Sequence, residues 1–243
     1  MPKPVADAIT IAWMDILRNR PHLLVWWFIL LLLPLANLFF ARHLVPEGIE
    51  VGPRLIAGST VFMLGIFTVQ AIANDLAFMR FTYRLKLIVA CPVHPASYIF
   101  GIMFVPTARG AINSIALLAF APLFDIDIHL NLWYIPVAAL TAMSLCGIGM
   151  VIGSWSPNII VNNQISLVFG VIVVMVSPVY FAVERLPDWL QGVARLSPYT
   201  HAANALDAIL SGRGGFHDEV AILAAITAVT MTIGLAGMRW RET

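Results

Sequence analysis

The sequence predicts an all-α membrane protein, with six transmembrane helices and an amphipathic helix lying in the membrane interface ahead of the first. Two observations carry that prediction. Of 243 residues, 60% are hydrophobic and only 11% charged, whereas a soluble domain carries about 25% charged residues. Apolar runs close to the roughly 20 residues that cross a bilayer core occur six times along the chain.

Residues 4–20 open the chain as the amphipathic helix. Val5, Ile9, Ala12, Trp13, Ile16 and Leu17 form one face, with Asp7, Thr10 and Arg18 elsewhere. Such a helix can lie in the interface with Trp13 at headgroup depth. The spans follow at about 22–41, 55–73, 98–123, 133–154, 159–181 and 220–238. Glycines 147, 149 and 153 in the fourth would permit close helix packing. No linker, low-complexity tract or repeat interrupts residues 1–243, so the chain reads as one membrane domain.

Lysine and arginine in the loops orient the spans. With both termini inside, the inner segments hold Lys3, Arg18, Arg20, Arg80, Arg84, Lys86, Arg239 and Arg241. The outer segments hold Arg42, Arg54, Arg185, Arg195 and Arg213. The excess places the N- and C-termini in the cytoplasm.

Composition also excludes functions. A net charge of +1 without a basic cluster indicates no nucleic-acid partner. Cys91 and Cys146 lack CxxC spacing and read as reduced packing residues. The N-terminus has no signal-peptide pattern. There is no GxxxxGK[ST] loop, HExxH or GxSxG, so neither catalytic residues nor a metal site is expected, and the chain would carry no cofactor. The span interiors hold no acids, which leaves little for a proton relay. One cation does fall within a span: Arg109, about a third of the way along the third, with Asn113 one turn on. An intramembrane arginine marks a pathway or helix-pairing role unless it snorkels to the surface, and both readings stay open here.

Two stretches between spans carry more information. "NDLAFMRFTYRLKLIVACPVHPASYIFG" (74–101) puts Arg80, Arg84 and Lys86 on a short basic helix that Pro92 and Pro95 end. It suits either docking of a soluble partner or plain positive-inside anchoring. "SPVYFAVERLPDWLQGVARLSPYTHAANALDAILSGRGG" (177–215) is too polar to span, yet keeps helical apolar spacing. Leu186, Trp189, Leu190, Val193 and Leu196 make one stripe. Pro198 breaks the helix, and Tyr199, Ala202, Ala203, Leu206 and Leu210 begin a second.

In order and spacing these pieces resemble the membrane subunits of ABC-2 type exporters. The matching features are Cys91-Pro92-Val93 before span 3, Gly149 to Ser154 closing span 4, and Asn163 to Ser166 after it. Ser177-Pro178-Val179 ends span 5, and Leu186 to Leu206 follows. The likeness covers roughly residues 74–215, and the N-terminal helix also fits. It implies a permease subunit of an ATP-driven exporter in a bacterial inner (plasma) membrane. Two copies of an ABC-type ATPase would hold the ATP and Mg, and a second permease copy would form a homodimer.

The cargo implied is hydrophobic or amphipathic, drug-like or a lipid-linked glycan. Trp13, Arg18, Arg80, Arg84 and Lys86 would couple to the ATPase. The segment with Pro187, Trp189, Pro198 and Tyr199 would form a re-entrant helical hairpin between spans 5 and 6. The alternative is an integral membrane enzyme acting on lipid-linked substrates, with Arg109 binding a phosphate.

Overall fold

The computed structural model describes residues 3–19, 52–82 and 95–237, except Asp125, Leu130 and Ala182, together with isolated positions between 32 and 43. The expected span at 22–41 therefore lies outside the described residues, as do Arg84, Lys86 and Cys91. The described residues are helical, without strands.

In chain order the helices are α1 (Lys3–Asn19), α2 (Pro53–Phe81), α3 (Pro95–Phe120), α4 (Tyr134–Trp155), α5 (Ile159–Val176), α6 (Asp188–Leu196), α7 (Pro198–Leu210) and α8 (Phe216–Gly237). Short 3-10 turns follow α3 (Ala121–Phe124) and precede α6 (Val183–Arg185). Among the described residues, four helices are long and apolar enough to cross a membrane: α2, α3 with its 3-10 extension, α4 and α8. The apolar α5 has 18 residues.

Several boundaries differ from those expected, for local reasons. α2 continues eight residues past 73 because Asn74 and Asp75 lower hydropathy without breaking a helix, and Asn74 finds partners on α5. α5 stops at Val176, short of 181, because Ser177 precedes Pro178 and a residue before proline avoids the helical region. α8 starts at Phe216, four residues early. There Phe216 and His217 stack against each other at 4.2 Å and contact Trp133 at 5.9 and 6.0 Å, while Asp218 and Glu219 suit the positive end of the helix.

The core forms around α2, whose 29 residues extend about 43 Å at 1.5 Å per residue. It packs against α3, α4, α5 and α7. Glycines on α4 allow the closest approaches. A Cβ on Gly149 would meet the Val69 carbonyl oxygen at 2.8 Å, and one on Gly153 would meet that of Ala73 at 2.7 Å. Gly147 gives the same clearance to Thr230 of α8. The backbones thus touch where three small residues recur, as helices do inside a bilayer.

Polar groups join the same helices at two further points. Thr60, Tyr134 and the Ser114 carbonyl link α2, α4 and α3, with 2.7 and 3.5 Å between successive oxygens. Asn74 of α2 accepts from Asn162 of α5 at 2.7 Å, while Gln70 and Asn74 donate to Asn163 at 2.9 and 3.3 Å.

α1 packs on α3, with Ile11 and the Ala8 carbonyl over Gly101 and Ala12 buried. Its remaining apolar face, including Val5, Ile9, Trp13 and Leu17, is exposed.

Candidate functional site

At the end of the bundle where α2 begins, residues 177–215 form a folded excursion. Three local features shape it. The hydroxyls of Ser177 and Ser197 meet at 2.7 Å, tying the start of the excursion to the break between α6 and α7. Pro187 caps α6 in an extended conformation, and its carbonyl accepts from the Leu190 and Gln191 amides. Pro198 stands in the first turn of α7, where its missing N–H costs nothing.

The two helices have opposite surroundings. Along α6 the expected stripe faces outward: Trp189, Val193 and Leu196 are exposed, and only Ala194 is buried. α7 is buried against α2, α4 and α8. Pro198 and Tyr199 are covered, and the Tyr199 ring lies against Gly65, twelve residues into α2. At about 1.5 Å per residue that is roughly 18 Å below the first turn of α2. The chain leaves α7 through Gly212 and Gly215, whose positive φ values of 67° and 86° glycine adopts without strain.

A cluster of charged and polar side chains holds this excursion in place. Arg54, in the first turn of α2, donates to Asn204 Oδ1 at 2.8 Å and to the carbonyls of Pro178 (2.6 Å) and Phe181 (3.2 Å). Asp207 lies 3.9 Å from the Arg54 guanidinium and pairs with Arg213 at 2.5 Å. Glu219 of α8 accepts from Asn204 at 3.1 Å and lies 2.5 Å from His201 Nδ1, while His201 Nε2 donates to the Arg195 carbonyl at 2.7 Å. Between them runs a cleft of about 440 Å³, lined by Arg54, Glu184, Asn204, Asp207, Arg213 and Glu219 among others. Burying an arginine in a bilayer protein is costly unless its donors are taken up; here two backbone carbonyls and Asn204 take up the two Nη groups, while Nε has no hydrogen-bond partner among the described residues.

None of Arg54, His201, Asn204, Asp207 or Glu219 was singled out from the sequence. The available signal was periodicity. His201, Asn204 and Asp207 recur every three residues on an otherwise apolar helix, the complement of the Tyr199–Leu206 stripe.

The residues expected to matter are spread over the molecule. Pro187, Trp189, Pro198 and Tyr199 belong to the α6–α7 pair. Trp13 is exposed on α1, and Arg18 lies in the last turns of that helix with its side chain outside the described set.

Arg80, at the opposite end of α2, turns its guanidinium onto the C-terminus of α4. Nη1 donates to the carbonyls of Gly153 (3.0 Å) and Ser154 (2.5 Å), with that of Ser156 at 3.4 Å, and the guanidinium carbon is 5.4 Å from the Phe81 ring centre. Arg109 is the fifteenth of the 26 residues of α3, nearer its middle than expected, and is half-buried. Asn113 is buried one turn on, its Oδ1 without a hydrogen-bond partner among the described residues. Among the described residues no group of three or more His, Cys, Asp or Glu could hold a metal ion.

The buried α7 and the apolar helices define a multi-pass membrane protein. The sequence profile of the ABC-2 type transporter family matches residues 9–210, so the chain belongs to that family and is a membrane permease component of an ABC transporter. No curated protein sequence matches it.

Proposed function

We propose that this chain is the permease subunit of an ATP-driven exporter that moves a hydrophobic or amphipathic cargo, a drug-like molecule or a lipid-linked glycan. It works as a homodimer with two copies of a separate ABC-type ATPase, which hold ATP and Mg. Membership of the ABC-2 family is the observation that carries this reading, because that membrane domain takes its energy from another subunit.

In this reading the protein lies in the inner membrane with six spans and both termini cytoplasmic. The Arg80 end of α2 then faces the cytoplasm and the Arg54 end faces outward. The α6–α7 pair is a re-entrant hairpin entering from outside. Burial of α7 and the reach of Tyr199 to Gly65 support that, because irregular backbone at membrane depth survives only against protein or a water-lined cavity. The exposed stripe of α6 rests on the outer leaflet or the second copy.

On the cytoplasmic side, α1 with Trp13 and Arg18 and the basic segment from Arg80 through Arg84 and Lys86 transmit the ATPase's motion. α1 lies directly on α3, which carries Arg109 and Asn113, so a push on α1 reaches the intramembrane polar pair through one rigid contact.

The test is co-expression with a candidate ABC-type ATPase, purification through a tag on this chain, and vanadate-sensitive ATP hydrolysis in lipid nanodiscs. Stoichiometric co-purification, with activity lost on mutating the ATPase's phosphate-loop lysine, is the expected result. Failure of every such ATPase to bind in mild detergent and lipid would overturn the proposal.

A further inference from the structure

A further cavity, larger than the cleft at Arg54, opens at the same end of the bundle. It holds about 810 Å³ between the last turns of α3 and the non-helical segment 126–129. Two backbone bonds fix that segment. The Ile126 amide donates to the Ala121 carbonyl at 3.3 Å, and the His129 amide donates at 2.8 Å to the carbonyl of Leu210, which ends α7. Ile126 is buried in the core, and Leu118 and Ile128 pack against that core, so the floor of the cavity belongs to the packed bundle. Ile115 and Ala119 of α3 form its edge, and both are exposed. The cavity is therefore open sideways, toward the surface that α3 presents to lipid.

The lining is apolar with one exception. Asp127 is exposed, and its carboxylate has no hydrogen-bond or ion-pair partner among the described residues. The Arg54 cleft differs in this respect, because Asp207 is taken by Arg213, and Glu219 by His201 and Asn204. Cavities that take small molecules are mostly apolar, with a few polar groups that set orientation and selectivity. Here that group is a single anion. The apolar walls attract any hydrophobic body. The carboxylate at the edge adds attraction for a cation, adds nothing for an uncharged molecule, and repels a phosphate.

We therefore propose that this cavity binds a hydrophobic cation, a molecule with an apolar body seated against α3 and one ammonium group at Asp127. In the orientation proposed above the cavity lies in the outer half of the membrane, on the side to which an exporter delivers, so the molecule is cargo. The inference rests on the export reading for that role and narrows the cargo class. A lipid-linked glycan, joined to its lipid through phosphate, is disfavoured by the same carboxylate.

The test uses the full chain in phosphatidylcholine nanodiscs without any ATPase. Cys91 and Cys146 are replaced by alanine, and a bimane fluorophore is attached at Leu123→Cys. Leu123 is 73% exposed and stands beside the cavity without lining it. The probes are dodecyl amphiphiles carrying a nitroxide next to the head group, which is an ammonium, a phosphate or an uncharged ester. The expected result is saturable quenching by the ammonium probe, half-saturating at a concentration about fivefold below the ester, the size expected of an exposed charge pair.

Asp127→Asn should remove that preference and leave the ester unchanged, and Asp127→Lys should pass it to the phosphate probe. Both changes fall on an exposed side chain outside the packed core. Ala119→Trp, which fills the cavity, should make quenching by every probe non-saturable. Non-saturable quenching in the parent chain, equal half-saturation for ammonium and ester, or a preference untouched by Asp127→Asn would overturn the site. Displacement of the ammonium probe by phosphatidylethanolamine added to the nanodiscs would make the occupant a resident lipid and overturn the cargo assignment. None of these results bears on the permease reading, which the ATPase co-purification tests by itself.

Discussion

Arg80 is the residue for which the structure supplies a second role beside the expected one, and its replacement separates the two. An α-helix leaves its last carbonyls without intrahelical donors. At the end of α4 those of Gly153 and Ser154, with Ser156 just beyond, are met by one guanidinium nitrogen of Arg80. That nitrogen has two hydrogens, and each bond to a charged donor contributes about 1.5–3 kcal/mol net. Because Arg80 is only part-buried, a discount of about one third is appropriate, leaving roughly 2–4 kcal/mol lost in Arg80→Ala. At roughly 2–4 °C per kcal/mol for a chain of this size, the midpoint falls by on the order of 10 °C.

Thermal unfolding in mild detergent, followed by tryptophan fluorescence, reads the global loss. Hydrogen exchange over residues 150–158 reads its location and should rise first there. Arg80→Lys keeps the charge but not the fork, and should recover about half the loss. The reasoning is refuted if Arg80→Ala melts within about 2 °C of the parent with unchanged exchange in that window. If that variant also loses stimulation of the ATPase, Arg80 acts in coupling alone.

Other positions give simpler tests. Gly149→Val should lower stability by about 1–3 kcal/mol, because its Cβ would lie 2.8 Å from the Val69 carbonyl oxygen and α2 must retreat; the same fluorescence melt measures it. Tyr199→Phe should be neutral or stabilising, since the buried hydroxyl has no hydrogen-bond partner among the described residues, whereas Tyr199→Ala should cost about 3–5 kcal/mol; a loss beyond about 1 kcal/mol in the phenylalanine variant would mean that the hydroxyl is paired. Asn162→Leu should cost about 0.6–1.7 kcal/mol, the range of polar contacts between membrane helices, checked by denaturant titration in bicelles. Gly212→Ala should cost about 1–2 kcal/mol, through its positive φ and the His129 ring 3.0 Å from the new methyl, and should raise proteolysis at the turn between α7 and α8.

The regular part of the fold was legible because bilayer physics writes it in one dimension. Apolar runs and glycine spacing gave α4 to within a residue at each end, and placed α3 and α8 to within a few residues. Proline explains the end of α5 and the start of α7 in the same local terms. Where the reading slipped, a local polarity had been taken for an end. Asn74 and Asp75 lie in mid-helix because Asn74 has partners on α5, a fact carried by residues 88 positions away.

The cluster around Arg54 was illegible for the same reason in stronger form. Its members come from positions 54, 178, 181, 195, 201, 204, 207 and 219, and no stretch of the chain contains more than a fragment of it. Three of its acceptors, at Pro178, Phe181 and Arg195, are backbone carbonyls, which every residue possesses and no motif can mark. Sequence position also made Arg54 look like an orienting charge at the mouth of a span, the commonest use of arginine there. Only the fold distinguishes that use from this one, by carrying α7 down beside α2 until Asn204 and Asp207 meet the guanidinium. Once α7 is buried, its polar stripe must be answered by charge from its neighbours. Arg54 on α2 and Glu219 on α8 are the residues that answer it. The position of the hairpin therefore follows from the apolar stripe that sinks α7, and its attachment follows from the polar stripe opposite.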